Sequence, residues 1–193
     1  VIRTFIALDI NDAIRAELES CTEDLRQEVP ERAVHWVRVA SIHLTLKFLG
    51  DIHEKMVPEI EAELESAAAQ ILPFRMDVGG MGCFPNERRP RVIWVGVKEG
   101  SGVLKKLYDA VESGLSGLGY ERERRQFHPH LTLGRVRRSA SRSDVERVAK
   151  ALRNQHIGLL GAVDCSQVHL YRSDLKPAGA VYSRLASADF GGD

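Results

Sequence analysis

At 193 residues, with 44% hydrophobic and 28% charged content, the chain has the makeup of a soluble globular protein that buries a sizeable core in a single domain over 1–193. Its formal net charge is zero, so a polyanionic partner has to be met by a local patch and not by the overall field. Cys21, Cys83 and Cys165 are odd in number and far apart, which excludes a disulfide framework and an all-cysteine zinc site and suits a reducing cytoplasm; no stretch is apolar enough to span a membrane.

Residues 2–9 alternate as a strand, and Arg3, Asp9 and Asp12 break the apolar run that a signal peptide would need. Asn11 or Asp12 then caps a predicted helix to about Glu28, carrying Ile14, Leu18 and Leu25 at helical spacing, and Pro30 closes it. Val34–Val39 reads as a short strand and Ile42–Gly50 as a longer one. The helix predicted over about 55–70 carries Glu59, Glu61, Glu63 and Glu65, which read as a solvated face. Phe74–Phe84 is a strand whose glycines at 79, 80 and 82 point to a bulge or a close backbone approach. A basic turn over 85–90 leads to a strand over 91–97, a helix over about 103–118, a second long strand over 127–136 and a helix over about 143–154. Two late strands, near 163–172 and 180–189, make a hairpin around Pro177 and Gly179, and the tail 191–193 is expected to be disordered.

Within the two longer central strands one phrase occurs twice: His43-Leu44-Thr45-Leu46 and His130-Leu131-Thr132-Leu133. Alternation along a strand puts each His and its Thr on one face, roughly 7 Å apart, while the leucines enter the core. A His and a Thr so placed can address one tetrahedral anion. The chain has neither a G-x-x-x-x-G-K-[ST] phosphate loop nor a G-x-S-x-G nucleophile turn.

Paired H-x-T-x phrases on strands resemble the 2H phosphoesterase superfamily, and in particular its RNA 2′,3′-cyclic phosphodiesterase branch, the 2′-5′ RNA ligase family. The likeness extends through the opening Arg3-Thr4-Phe5-Ile6-Ala7-Leu8, the full first motif to Lys47-Phe48-Leu49-Gly50, Gly82-Cys83-Phe84-Pro85 with Pro90–Gly96, Pro129-His130-Leu131-Thr132-Leu133-Gly134-Arg135, and a late Val181–Leu185 strand. It implies an α+β fold of two pseudo-symmetric lobes, antiparallel sheet inside and helices outside, around a central groove. It also implies that His43 is the proton donor and His130 the proton acceptor in hydrolysis of RNA 2′,3′-cyclic phosphate ends to 2′-phosphomonoesters, with reversible 2′-5′ RNA ligation as a companion reaction.

The residues themselves suit that chemistry. Opening a cyclic phosphodiester requires one group to take a proton from water and another to give one to the leaving oxygen; two imidazoles, titrating near 6.5, do both near neutral pH. Thr45 and Thr132 would donate hydroxyl hydrogen bonds to the nonbridging oxygens. Strand parity puts Lys47 on the His43 face, within reach of the anion, and puts Arg135 on the face opposite His130 unless the strand is irregular. Arg122, Arg124, Arg125, Arg137, Arg138 and Arg142 read as solubilising charge or as a rim for RNA phosphates. Phe48, Phe84 and Phe127 read as core rather than as platforms for bases. No cofactor or metal is called for, the partners are RNA ends or small cyclic-phosphate nucleotides, and a cytoplasmic monomer is expected. Two other readings stay open: a zinc-dependent hydrolase built on His128 and His130, and a noncatalytic RNA-binding module.

Overall fold

The structure, a computed structural model, describes residues 1–176 and 179–191. Among these, the elements run β1 (Ile2–Leu8), α1 (Asp12–Glu28), β2 (Val34–Trp36), β3 (Leu44–Ile52), α2 (Val57–Ala68), β4 (Phe74–Phe84), β5 (Val92–Lys98), α3 (Val103–Gly117), β6 (His130–Val136), α4 (Arg142–Asn154), β7 (Leu159–Cys165), β8 (Gln167–Lys176) and β9 (Gly179–Asp189). Local chemistry sets the helix starts. The Asn11 side chain accepts from the Ile14 N–H to cap α1, and Ser141 with Asp144 forms a capping box at α4. Gly102, at φ +83°, turns the chain into α3 through a left-handed conformation that suits glycine. Each helix buries one stripe, such as Ile14, Leu18 and Leu25 of α1 or Leu104, Leu107, Val111 and Leu115 of α3.

All the strands belong to one antiparallel sheet in the order β7-β4-β5-β6-β3-β1-β8-β9, with β2 paired to β6. The fold is the expected α+β arrangement of two lobes, β9-β8-β1-β3 and β6-β5-β4-β7. They join where β3 meets β6, and among the described residues that join is a single residue pair, Leu44 with Leu131. Helices α2 and α3 pack together over the first lobe, while α1 packs on α4 and on β7 of the second. The lobes are not the two halves of the chain: β4 crosses into the second lobe, and β8 and β9 return to the first.

Three elements differ from the sequence expectation. The predicted late strand over 163–172 is two strands broken at Ser166, β7 pairing with β4 and β8 with β1. Apolar alternation does not reveal that a strand has changed partner. The predicted strand over 34–39 stops at Trp36 and gives way to a 3-10 turn at Val39–Ser41. The helix expected from residue 55 begins as a 3-10 turn at Glu54–Met56, before α2. Of the hairpin markers, Gly179 pairs with Lys176, whereas Pro177 lies outside the described residues, as does the predicted disorder at 192–193; Gly191 donates its N–H to the Ala68 carbonyl. The glycines of β4 meet both expectations: the register shifts around residues 78–81, and a Cβ at Gly82 would run into the Trp94 ring.

Leu44 and Leu131 are fully buried. Leu44→Ala should therefore cost about 2–5 kcal/mol in urea unfolding, the range for a buried leucine whose surroundings collapse incompletely. A cost below about 1 kcal/mol would mean that the lobes hold together without this contact.

Candidate active site

Pairing Leu44 with Leu131 in antiparallel register has a direct geometric consequence. Both leucines point into the helix-covered core, so the residues on either side of them, His43 and Thr45 on one strand and His130 and Thr132 on the other, turn to the opposite face. Antiparallel direction sets His43 beside Thr132 and Thr45 beside His130. All four are partly exposed, and the two copies of the phrase become one cluster.

The two histidines are held alike. His43 Nδ1–H donates to the Ser41 carbonyl (3.0 Å), and His130 Nδ1–H donates to the His128 carbonyl (2.6 Å). In each case the acceptor is two residues back, and Nε2 is left as the nitrogen that gains or loses a proton. Each ring is walled by aromatics. His43 stacks on Phe5 at 4.5 Å and meets Tyr182 edge-on at 5.2 Å; His130 meets Phe84 edge-on at 5.0 Å and lies 6.1 Å from Trp94. Burial is the main reason that both imidazoles titrate below their ordinary value. It pushes His43 down to about 4 against the opposing pull of the Ser41 carbonyl and Asp9, and it lowers His130 against the pull of the His128 carbonyl. Burial thus favours the neutral form of both rings in the free protein.

Two bulges then change what lies beyond each Thr. In β3, Ala7 pairs with Thr45 and Ile6 with Lys47, so Leu46 is an extra residue. In β6, Trp94 pairs with Thr132 and Ile93 with Gly134, so Leu133 is extra. Each bulge reverses the parity of the residues after it. Lys47 consequently turns away from His43 into the core, where it is 7% exposed and its ammonium donates to both Glu112 carboxylate oxygens at 2.9 Å and to the Glu121 carbonyl at 2.8 Å. The expectation that Lys47 reaches the anion is overturned. Phe48 turns outward in its place, 67% exposed beside Phe5, and so is not core. At the matching position of the second copy, Arg135 comes to the His130 face, exposed, with its charge felt by both His130 and Tyr182.

Sequence reasoning missed Phe5, Tyr182 and Trp94 as walls of the site, because their contacts depend on strand neighbours that no local pattern reveals. The expectation for Phe127 stands, since it stacks on buried Tyr108 at 4.1 Å, while Phe84 lines the His130 side. Beside the cluster, Asp9 accepts from Tyr171 and Arg184 at 2.6 Å each and lies 3.6 Å from His169 Nε2. The zinc reading needs a third ligand beside His128 and His130, and among the described residues no group of three His, Cys, Asp or Glu side chains gathers to hold an ion. No described helix is long and apolar enough to cross a membrane.

A family model described as LigT like phosphoesterase matches the chain twice, over residues 8–94 and 95–182, one copy of the H-x-T phrase in each. The chain is 34% identical over 183 residues to an RNA 2′,3′-cyclic phosphodiesterase of Archaeoglobus fulgidus, covering 95% of this chain and 97% of that one. It is also 34% identical to the enzyme of the same name from Thermus thermophilus, covering 99% and 91%. Among solved structures, a Thermus thermophilus protein superposes with a TM-score of 0.80 at 30% identity over the whole of both chains. Escherichia coli LigT bound to 3′-AMP superposes at 0.76 and 22% identity over 99% of each chain, a likeness of fold.

The buried imidazoles make stability depend on pH with a definite sign. His43, His130 and His169 are all held below 6.5 by burial, so the unfolded chain binds their protons first as pH falls. Their contribution is complete above about pH 6.5 and is lost as pH falls toward about 4, where His43 titrates. Urea midpoints should decline across that window, and His43→Asn should make the decline shallower; an unchanged slope would mean that His43 is not held neutral.

Proposed function

The chain belongs to the LigT-like phosphoesterase family, and from that footing we propose that it hydrolyses RNA 2′,3′-cyclic phosphate ends to 2′-phosphomonoesters by acid-base catalysis between two histidines. The observation that carries the reading is the convergence of both His-Leu-Thr phrases on one face through the Leu44–Leu131 pair. Relatives of this length bearing the name RNA 2′,3′-cyclic phosphodiesterase support the substrate class.

The cyclic phosphate sits between the imidazoles. His130 Nε2 takes a proton from water as the water oxygen bonds to phosphorus, and the bond to the ribose 3′ oxygen breaks opposite. His43 Nε2–H gives its proton to that leaving oxygen. Thr45 and Thr132 donate hydroxyl hydrogen bonds to the nonbridging oxygens, and Arg135 adds positive charge from the exit of β6. With a 5′ hydroxyl in place of water, the same groups join the cyclic phosphate end to it as a 2′-5′ diester: His130 Nε2 takes the hydroxyl proton, the bond to the 3′ oxygen breaks and His43 protonates that oxygen. Because burial favours neutral His43 in the free protein, the ring takes up its proton from solvent as the substrate binds: an adjacent anion favours the charged imidazole. The exposed Phe48 ring lies beside Phe5, on which His43 stacks, and offers a base a stacking surface. The protein acts as a cytoplasmic monomer on RNA ends or small cyclic-phosphate nucleotides.

The direct test is incubation with an oligonucleotide ending in a 2′,3′-cyclic phosphate, resolving 2′- from 3′-phosphate products. Accumulation of the 2′ product is expected; no turnover, or the 3′ product, removes the proposal. Loss of activity on chelation with recovery on added zinc would favour the His128 and His130 reading instead.

His43→Ala and His130→Ala should each lower turnover by at least about a hundredfold, and Thr45→Val or Thr132→Val, each removing one donor to transition-state charge, by roughly a hundredfold. The pH profile separates the roles. Wild type should give a bell whose alkaline limb lies at higher pH in kcat than in kcat/KM, because bound anion raises the donor's titration. The Val variants should keep both limbs at reduced height. His130→Ala should flatten the acidic limb and His43→Ala the alkaline one; the opposite pattern would exchange the donor and acceptor labels.

A further inference from the structure

Lys47 belongs to the first motif, yet its side chain serves the second. It leaves the open face of the sheet and forms an ion pair with Glu112 of α3, both side chains being 6% exposed. The pair has two further bonds, and both go to the segment that feeds β6. Lys47 Nζ donates to the Glu121 carbonyl at 2.8 Å, and the Glu123 N–H donates to Glu112 Oε2 at 3.0 Å. One turn earlier on α3, Tyr108 stacks face to face on Phe127 of the same segment, their planes 11° apart. Farther along, Val97 N–H donates to the Pro129 carbonyl, and the His128 carbonyl accepts from His130 Nδ1.

We propose that Lys47 and Glu112 are a positioning pair for His130, fixing through the 121–129 segment the carbonyl that selects its tautomer. This rests on the two-histidine reading above. A desolvated ion pair is a poor source of stability, since a well-packed apolar pair in its place is often neutral or better. What an apolar pair does not supply is a donor for the Glu121 carbonyl and an acceptor for the Glu123 N–H. Those bonds reach a segment whose residues 121–126 are exposed to solvent and lack secondary structure, so nothing regular replaces them. The first motif has a counterpart: Arg15 of α1 donates to the Val39 and Ile42 carbonyls and so holds the segment bearing Ser41, the acceptor for His43.

The test is the double variant Lys47→Met/Glu112→Leu beside Glu112→Gln, which keeps an acceptor for the Glu123 N–H. In the double variant, kcat on a 2′,3′-cyclic nucleotide should fall by about tenfold or more with KM within about twofold, because misplacement of a reacting group acts on the chemical step. Nitrogen NMR of His130 should change from a single Nδ1–H tautomer to a mixture, while His43 keeps its own. Glu112→Gln should recover most of the kcat. Wild-type kcat and an unchanged His130 tautomer in the folded double variant would reduce the pair to a structural role and overturn the proposal. Should the double variant fail to fold, Glu123→Pro deletes the N–H at an exposed position and leaves the ion pair intact: the same loss of kcat upholds the proposal, and full kcat overturns it. The NMR readout needs no turnover, so a wild type inactive on cyclic phosphate would refute the proposed function without deciding this inference.

Discussion

One antiparallel contact, between Leu44 and Leu131, organises the molecule. A β-sheet residue that is buried on one face obliges its chain neighbours to occupy the other, and antiparallel direction makes the neighbours of two facing residues cross over. The result is a small patch in which each His faces a Thr across the strands, with the two histidines on one diagonal and the two threonines on the other. Among the described residues the lobes meet there and nowhere else in the sheet, so the same contact that closes the core also assembles the site. A shift of one residue in that register would turn one strand over relative to the other, sending its histidine into the core and its leucine into water, which fold stability forbids.

The walls around the patch decide its electrostatics. Phe5, Tyr182, Phe84 and Trp94 dehydrate the imidazoles on both sides, and the carbonyls of Ser41 and His128 each fix one ring nitrogen. Dehydration disfavours charge, so it holds both rings toward the neutral form, and an anion bound beside them would favour the charged form instead. A chain with no net charge tolerates that dependence, because Arg135 brings positive charge to the patch locally.

Much of this is legible in the sequence. The helix over 12–28, the strand over 74–84 and the two motif strands follow from caps, glycine positions and alternation, and the repeated phrase signals that two distant segments share a task. What stays hidden depends on which strands become neighbours. The bulges at Leu46 and Leu133 arise from pairing with β1 and β5, so no count along the sequence exposes them. Simple parity therefore misplaces Lys47 and Phe48 and leaves Arg135 undecided. The break at Ser166 is invisible for the same reason, since β7 and β8 read as one apolar run until each finds its partner in a different lobe.

The two bulges also show how a repeated motif comes to carry unequal halves. They fall at the same place in both phrases and turn the next two positions in the same sense, one inward and one outward. In the first copy the inward residue is Lys47 and the outward one Phe48; in the second they are Gly134 and Arg135. The inward site of the second copy admits no side chain, since a Cβ on Gly134 would stand 2.8 Å from Val34 and 2.9 Å from the Trp36 ring of β2. Strand β2 thus covers the second copy in the place where, on the first, an ammonium group runs inward to α3. Shared backbone geometry gives the site its matched histidines and threonines. Different occupants of the bulge give it an aromatic surface on one side, a cation on the other, and a buried charge pair joining the first motif to the approach of the second.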